Sequence, residues 1–193
     1  MSRLGEDLLT EVLARPGRLA GGGRLVCIDG FAGSGKTTTA HLLHTAAVAH
    51  GLRAHVVHMD DLYPGWSGLP HLPELTGRLV QALAGAGEAS YRRWDWGRDA
   101  YAEEHLVVAR DLVVLEGVGA ADPAYDDRVT LRVLVTAPRE DRLRRGLERD
   151  GHELRERWLR WQEAEAEHLA RTRVADRADV VVDGLTGTVA VGR

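Results

Sequence analysis

The chain has 193 residues, of which 44% are hydrophobic and 28% are charged, a composition typical of a globular domain with its own core. Its formal net charge is −4, so we expect neither nucleic acid nor a membrane surface as a partner. A single cysteine excludes an internal disulfide, and no stretch approaches the ~18 apolar residues of a membrane helix, so we expect a cytoplasmic monomer or homo-oligomer.

Helical patterns and continuous apolar runs alternate along the chain, which is typical of an α/β domain with a parallel sheet. The predicted helices are 5–15, 36–50, 74–87 and 138–173, the last one densely charged and interrupted near Asp150-Gly151. The predicted strands are 24–29, 53–59, 105–109, 112–117, 131–137 and 178–184. Residues 91–104 show no clear period.

A glycine-rich stretch between the first predicted strand and the next helix matches G-x-x-x-x-G-K-[ST] at residues 30–37, GFAGSGKT. Glycines let backbone N–H groups point at a phosphate, and the helix adds its positive N-terminal end. In such a loop Lys36 reaches the β- and γ-phosphates, and the Thr37 hydroxyl binds Mg²⁺. A chance match is the alternative, and the strand–loop–helix context argues against it. The predicted nucleotide-binding residues are Gly30, Ala32, Gly33, Ser34, Gly35, Lys36, Thr37 and Thr38.

Two adjacent carboxylates, Asp60 and Asp61, follow the second predicted strand. Ligands of open α/β sheets bind at the carboxyl ends of the strands. We therefore predict that Asp60 takes a proton from an attacking hydroxyl or holds Mg²⁺ through water, and that Tyr63 contacts the acceptor. The alternative is that the aspartates cap a turn. The sequence does not decide which of the two is the base.

A further carboxylate, Glu116, ends the buried apolar run of 112–117. An acidic residue in this position supports Mg²⁺ in phosphoryl-transfer sites. The alternative is a loop residue that only marks the point where the chain leaves the sheet. The apolar residues directly before Glu116 favour the strand end and therefore the metal role.

Residues 91–101, YRRWDWGRDAY, place aromatic rings around a carboxylate. Trp94 and Trp96 are suited to stacking on a flat ligand, and Asp95 is suited to accepting a hydrogen bond from a sugar hydroxyl. The alternative is that the tryptophans are core residues beneath a surface loop. The predicted acceptor-binding residues here are Arg93, Trp94, Asp95 and Trp96.

Arginines recur in the charged segment, where Arg142, Arg145 and Arg149 share one helical face. Such a face is suited to closing over a nucleotide and neutralising charge on the transferred group. The alternative is a solvated helix with ion pairs between neighbouring turns. With a phosphate loop upstream we favour a lid at about 138–173.

Together these motifs resemble the uridine kinase and phosphoribulokinase group of P-loop small-molecule kinases, over residues 24–184. The matching stretches are IDGFAGSGKTTTA, MDDLY, LVVLEGV, RLRRGLERD and ADVVVDG. The resemblance implies a base like Asp60, an acidic Mg²⁺ partner like Glu116, and lid arginines like Arg145 and Arg149. It also implies that YRRWDW lies in the acceptor region.

We predict one domain, residues 1–193, with the α/β fold of the P-loop NTPases. It is expected to be a three-layer sandwich around a five-stranded parallel sheet in the order 2-3-1-4-5, with helices on both faces and a helical lid.

The predicted activity is ATP- and Mg²⁺-dependent phosphoryl transfer to a hydroxyl of a small molecule, with a nucleoside as one candidate. Lys36, Asp60, Arg145 and Arg149 would be catalytic, and Thr37, Asp60 and Glu116 would bind the metal. One alternative is a kinase of another acceptor, such as a nucleoside monophosphate, a vitamin or an antibiotic. Another is a nucleotide-binding regulatory switch, although the guanine-reading string N-K-x-D does not occur.

Overall fold

A computed structural model of the chain describes residues 2–191 and has a six-stranded sheet at its centre. Met1, Gly192 and Arg193 lie outside the described residues, so the predicted domain of 1–193 extends beyond them. The strands are β1 (Arg24–Asp29), β2 (Ala54–His58), β3 (Glu88–Asp95), β4 (Ala100–Val108), β5 (Leu112–Glu116), β6 (Leu131–Thr136), β7 (Val180–Asp183) and β8 (Val189–Val191).

Helices cover both faces of this sheet. They are α1 (Arg3–Leu13), α2 (Lys36–Ala49), α3 (Leu72–Gly85), α4 (Arg139–Asp150), α5 (Arg155–Thr172) and the single turn α6 (Val174–Arg177). Within residues 2–191, none of these helices combines the length and the apolar character needed to cross a membrane.

The central strand β1 separates two hydrophobic cores because its side chains alternate between the faces. Val26 and Ile28 are buried with side chains of α1 and α2. Leu25 and Cys27 are buried with side chains of α3 and α5. A strand buried on both faces explains the continuous apolar run in the sequence.

The sheet runs in the order β2-β5-β1-β6-β7-β8. The first five strands are parallel, and counted alone in chain order they lie 2-3-1-4-5; β8 pairs antiparallel with β7. The prediction of a five-stranded, wholly parallel sheet is therefore wrong in strand count and in the order of the complete sheet. The three residues of β8 directly follow a tight turn and are too few to produce a periodic signal.

A second correction concerns residues 88–108, which form an antiparallel hairpin of β3 and β4 outside the main sheet. The sequence prediction left 91–104 unassigned and placed a separate strand at 105–109. Most hairpin side chains are exposed or half-buried on both faces, so polar and apolar residues do not alternate cleanly. Without a fully buried face, the period of two is weak.

The charged segment folds into the helical pair α4–α5, joined through Gly151 and a short 3₁₀ turn. The predicted interruption near Asp150-Gly151 falls at the end of α4, and Gly151 adopts a φ of 111°. Gly146 of α4 contacts the indole of Trp158, a side chain that is only 2% exposed. The pair therefore packs at close range where no side chain intervenes.

We expect Gly146→Ala to destabilise the protein, although alanine favours a helix by about 1 kcal/mol. A β-carbon at this position would lie 2.4 Å from the Trp158 ring. Overpacking of this kind costs about 1–3 kcal/mol, measurable by urea denaturation.

The matched control is Gly77→Ala in α3, where an added β-carbon meets no atom within 4 Å. This variant should gain up to ~1 kcal/mol from helix propensity. An equal gain at both glycines would contradict the close packing of α4 against α5.

Candidate active site

A cavity of about 1490 Å³ lies along the carboxyl edge of the sheet. The sheet register creates this edge, because β1 pairs with β5 and β5 pairs with β2, so that their last residues are neighbours. The predicted phosphate loop, the turn after β2, Glu116 and one side of the α4–α5 pair all border the cavity.

The loop after β1 depends on glycine at two close approaches. Gly30 has a φ of 136°, and a β-carbon there would lie 2.2 Å from the Val135 carbonyl oxygen. Gly33 has a φ of 77°, and its β-carbon would lie 2.5 Å from the Arg142 carbonyl oxygen. Of the predicted nucleotide-binding residues, Gly30 and Ser34 do not line the cavity. Those that line the cavity are Ala32, Gly33, Gly35, Lys36, Thr37 and Thr38.

Lys36 begins helix α2 and is the only lysine in the chain. It is 7% exposed, and its Nζ donates a hydrogen bond to the Phe31 carbonyl oxygen at 2.8 Å. The ammonium group is thus held over the loop, beside the positive N-terminal end of the 14-residue helix α2. Both charges favour an anion in this part of the cavity.

Thr37, Glu116 and His58 form a connected group at the ends of three elements. The Thr37 Oγ1 donates to Glu116 Oε1 at 3.0 Å, and the His58 Nδ1 donates to the same oxygen at 2.5 Å. This bond raises the pKa of His58, whereas burial of the ring opposes the increase. Hydroxyl and carboxylate oxygens are the ligands that Mg²⁺ prefers, so Thr37 and Glu116 fit this metal.

The sequence analysis did not single out His58. Its position as the last residue of β2, in register with Glu116 at the end of β5, was the signal that could have identified it. Within residues 2–191, no group of three or more His, Cys, Asp or Glu side chains forms a complete metal-binding cluster.

Asp60 lies in a 3₁₀ turn directly after β2, and its side chain is exposed to the cavity. Partial removal of this carboxyl group from water raises its pKa, and the negative charge of Glu116 raises it further. The positive charges of Lys36 and Arg149 oppose the increase. Asp60 is therefore within electrostatic range of three other predicted site residues. Asp61 is half-buried and also lines the cavity.

Asp29 was not assigned a role from the sequence, yet it organises this edge. Its buried carboxylate accepts backbone hydrogen bonds from Gly30 (2.6 Å), Gly119 (2.9 Å) and Ala121 (2.9 Å). Burial raises the pKa of the carboxyl, and the three N–H groups oppose that increase. The bonds join the phosphate loop to the segment that follows Glu116.

Of the acceptor-binding residues predicted at positions 93–96, only one lines the cavity. Trp96 lines the cavity, and its Nε1 donates to the Asp60 carbonyl oxygen at 2.9 Å. Arg93, Trp94 and Asp95 lie outside the cavity lining. Trp94 packs edge-on against Tyr101, Arg93 pairs with Glu103, and Asp95 accepts the backbone N–H groups of the hairpin turn. These three side chains therefore support the hairpin and do not face the cavity.

Aromatic rings from distant parts of the chain form the wall next to Asp60. The Trp66 ring lies edge-on to Trp96, Trp158 and Trp161 at centroid distances of 5.8, 6.2 and 6.0 Å. Tyr63, predicted to bind the acceptor, is buried next to Trp161 at 5.6 Å and also lines the cavity. Sequence reasoning missed this aromatic wall because its members are far apart in the chain; Trp66 and Trp161, for example, are separated by 95 residues.

The three α4 arginines that were predicted to share one face differ in their contacts. Arg145 donates to the carbonyl oxygens of Gly33 (3.4 Å) and Gly184 (3.3 Å). Arg149 lines the cavity and is paired with Asp150 at 2.7 Å. Arg142 is only 6% exposed and does not line the cavity.

Arg142 instead forms a buried ion pair with Glu165 of α5 at 2.9 Å. The second carboxylate oxygen of Glu165 accepts the backbone N–H of Ala32 at 2.7 Å, inside the phosphate loop. Burial raises the pKa of Glu165 and lowers that of Arg142, so desolvation of both charges outweighs their mutual attraction. The ion pair connects both α4 and α5 to the phosphate loop.

No protein-family model and no curated protein matches this sequence. Solved structures do match. A possible uridine kinase from Bacillus stearothermophilus is 23% identical with a TM-score of 0.67, covering 92% of this chain and 96% of its own. A proposed fructose transport system kinase from Silicibacter sp. TM1040 is 24% identical with a TM-score of 0.58, covering 91% and 92%.

The chain has the fold of these kinases. The resemblance predicted from the sequence motifs is thus confirmed at the level of the fold. At identities of 23% and 24%, the comparison establishes only the fold. The activity therefore has to be inferred from the residues around the cavity.

We expect Glu165→Gln to destabilise the protein by about 3–5 kcal/mol, since removing one partner leaves the charge of Arg142 buried and unpaired. Glutamine offers one carbonyl oxygen, whereas the carboxylate offers separate oxygens to Arg142 and Ala32. Urea denaturation measures the change.

Arg144→Gln is the control on the same helix pair. Arg144 forms its ion pairs with Asp141 and Glu148 on the exposed side of α4, and their loss should cost less than about 0.5 kcal/mol. If the two variants lost equal stability, the buried pair would not be the connection described above.

Proposed function

We propose that the protein is an ATP- and Mg²⁺-dependent kinase that phosphorylates a hydroxyl group of a small molecule. One observation carries the proposal: the phosphate loop with Lys36, the carboxylates Asp60 and Glu116, and Arg149 all border a single cavity. Phosphoryl transfer needs little covalent chemistry from the protein and depends on positioning and charge stabilisation. The side chains around this cavity can provide both positioning and charge stabilisation.

The nucleotide phosphates would lie on the loop between Ala32 and Thr38, where backbone N–H groups, the start of α2 and Lys36 meet. Thr37 and Glu116 would hold Mg²⁺. When bound, the metal supplies positive charge that neutralises the phosphate oxygens. Arg145 is anchored to the loop by its bond to the Gly33 carbonyl oxygen, which keeps its charge beside the phosphates.

Asp60 is positioned to orient and deprotonate the acceptor hydroxyl. Its raised pKa brings the carboxylate closer to the basicity required of a general base. Lys36 and Arg149 stabilise its charged form and so oppose this increase. The backbone carbonyl of Asp60 accepts the Trp96 indole N–H, which fixes the turn that carries it.

The aromatic wall supports an acceptor with a flat or apolar ring. Trp66 and Trp96 border the cavity on the Asp60 side, and rings of this kind bind planar groups by stacking. A nucleoside fits this description, and a vitamin or an antibiotic with a ring fits it as well. Purified protein with ATP, Mg²⁺ and a panel of such acceptors would distinguish among them.

The same assay separates a kinase from a regulatory nucleotide switch. A kinase turns over ATP slowly by itself and faster with its acceptor, whereas a switch responds equally to every compound in the panel. An acceptor-independent rate would overturn the proposal.

Lys36→Ala should fold normally and should reduce phosphoryl transfer about 10²–10³-fold, the typical loss for one charge-stabilising donor. Because Lys36 is the only lysine, an amine-reactive reagent labels just this side chain and the N-terminus. ATP should protect Lys36 from labelling in the wild-type protein. Unchanged labelling with ATP present would contradict a nucleotide on this loop.

Asp60→Asn should lower the acceptor-dependent rate by about 10²–10⁴-fold, the usual contribution of a general base. The amide is nearly isosteric, so the melting temperature and ATP binding should change little. Steady-state kinetics with the best acceptor from the panel measures the effect.

Asp61→Asn is the matched control. This neighbour also lines the cavity, but the charged groups that affect its pKa are His58, Arg93, Asp60 and His105 and include no arginine of α4. It should cost far less than Asp60→Asn. The reverse ranking would assign the base to Asp61, and two unaffected rates would leave the cavity without a base.

A further inference from the structure

We propose that His58 is a positioning residue, which holds one oxygen of Glu116 so that the other oxygen is presented to Mg²⁺. The inference rests on the proposed function, because that function gives Glu116 its metal. It concerns a residue that takes no part in the nucleotide, acceptor or proton-transfer roles described above.

The first support is the geometry of the carboxylate. Both of its donors, Thr37 Oγ1 at 3.0 Å and His58 Nδ1 at 2.5 Å, bind the same atom, Glu116 Oε1. Among residues 2–191, Oε2 receives no hydrogen bond from the protein. Since Glu116 lines the cavity, this second oxygen is the one available to a cation.

The second support is that the two donors are not equivalent. The Thr37 hydroxyl is itself a proposed metal ligand, so its orientation must serve the metal. His58 is not a proposed metal ligand. Because a carboxylate can only accept hydrogen bonds, the His58 Nδ1 carries a proton, and the rigid imidazole ring directs this N–H at Oε1. Of the two donors, only His58 can hold Glu116 independently of the metal.

The third support is the backbone. His58 and Glu116 are paired in register as the last residues of the neighbouring parallel strands β2 and β5. The sheet thus fixes the separation of the two side chains before any ligand arrives. Groups that orient a metal-binding side chain in this way typically contribute 10–100-fold to metal affinity or activity.

The chain offers a matched control in His55, on the same strand. It lines a second cavity of about 450 Å³, which Thr37 and His58 also border. His55 is in register with Val113, and no hydrogen bond joins it to Glu116 within the described residues. Replacing it tests the loss of a histidine without the loss of the Glu116 contact.

The experiment measures binding of a non-hydrolysable ATP analogue by calorimetry, with and without Mg²⁺. His58→Leu should reduce the enhancement by Mg²⁺ about 10–100-fold, while metal-free binding stays as in the wild type. His58→Asn places an amide N–H near the position of Nδ1 and should recover most of the enhancement. His55→Leu should behave as the wild type.

A wild-type Mg²⁺ enhancement in His58→Leu would overturn the inference, and so would a loss in His58→Asn equal to that in His58→Leu. The side chain of His58 is 45% exposed, so we expect the variants to fold; His58→Ala replaces His58→Leu in the comparison if melting curves show otherwise. No Mg²⁺ effect in the wild type would overturn both proposals. Mg²⁺-enhanced binding without phosphorylation of any acceptor would contradict only the proposed kinase activity.

Discussion

The Asp29 carboxylate lies fully buried at the end of the central strand and accepts three backbone N–H groups. A buried charge without such donors would be costly, so the chain around it has little freedom to rearrange. One donor opens the phosphate loop, and the other two, Gly119 and Ala121, follow the strand that ends in Glu116. The positions of the phosphate loop and of the candidate metal-binding carboxylate therefore depend on the same buried group.

Charge is distributed around the cavity in a way that suits a polyanion and a divalent cation together. Glu116 and Asp60 contribute negative charge close to Lys36 and Arg149, and both carboxylates favour the charged form of Arg149. The chain carries arginine at its other 24 basic positions and lysine only at position 36. Arginine binds carboxylates through its planar fork, whereas a compact ammonium is a point charge that fits inside a tight loop.

Features that rest on neighbouring residues were predictable from the sequence, and features that rest on distant ones were not. The strand 24–29, the phosphate loop and the strand-end position of Glu116 follow from local apolar runs and glycine spacing. The edge strand β8 was too short to show a pattern, and the β3–β4 hairpin lacks a buried face. The aromatic wall and the bond from Glu165 to Ala32 join residues far apart in the chain, so only the fold brings them together.

The contact between Glu165 and Ala32 also limits how the α4–α5 pair can move. If the pair swung away from the sheet as a unit, Glu165 would leave an N–H of the phosphate loop without its acceptor. Opening of the helices would thus be coupled to loosening of the loop, and a ligand that tightens the loop would also favour the closed helices. The fully buried Glu165 would then transmit the presence of a ligand on the loop to the two helices.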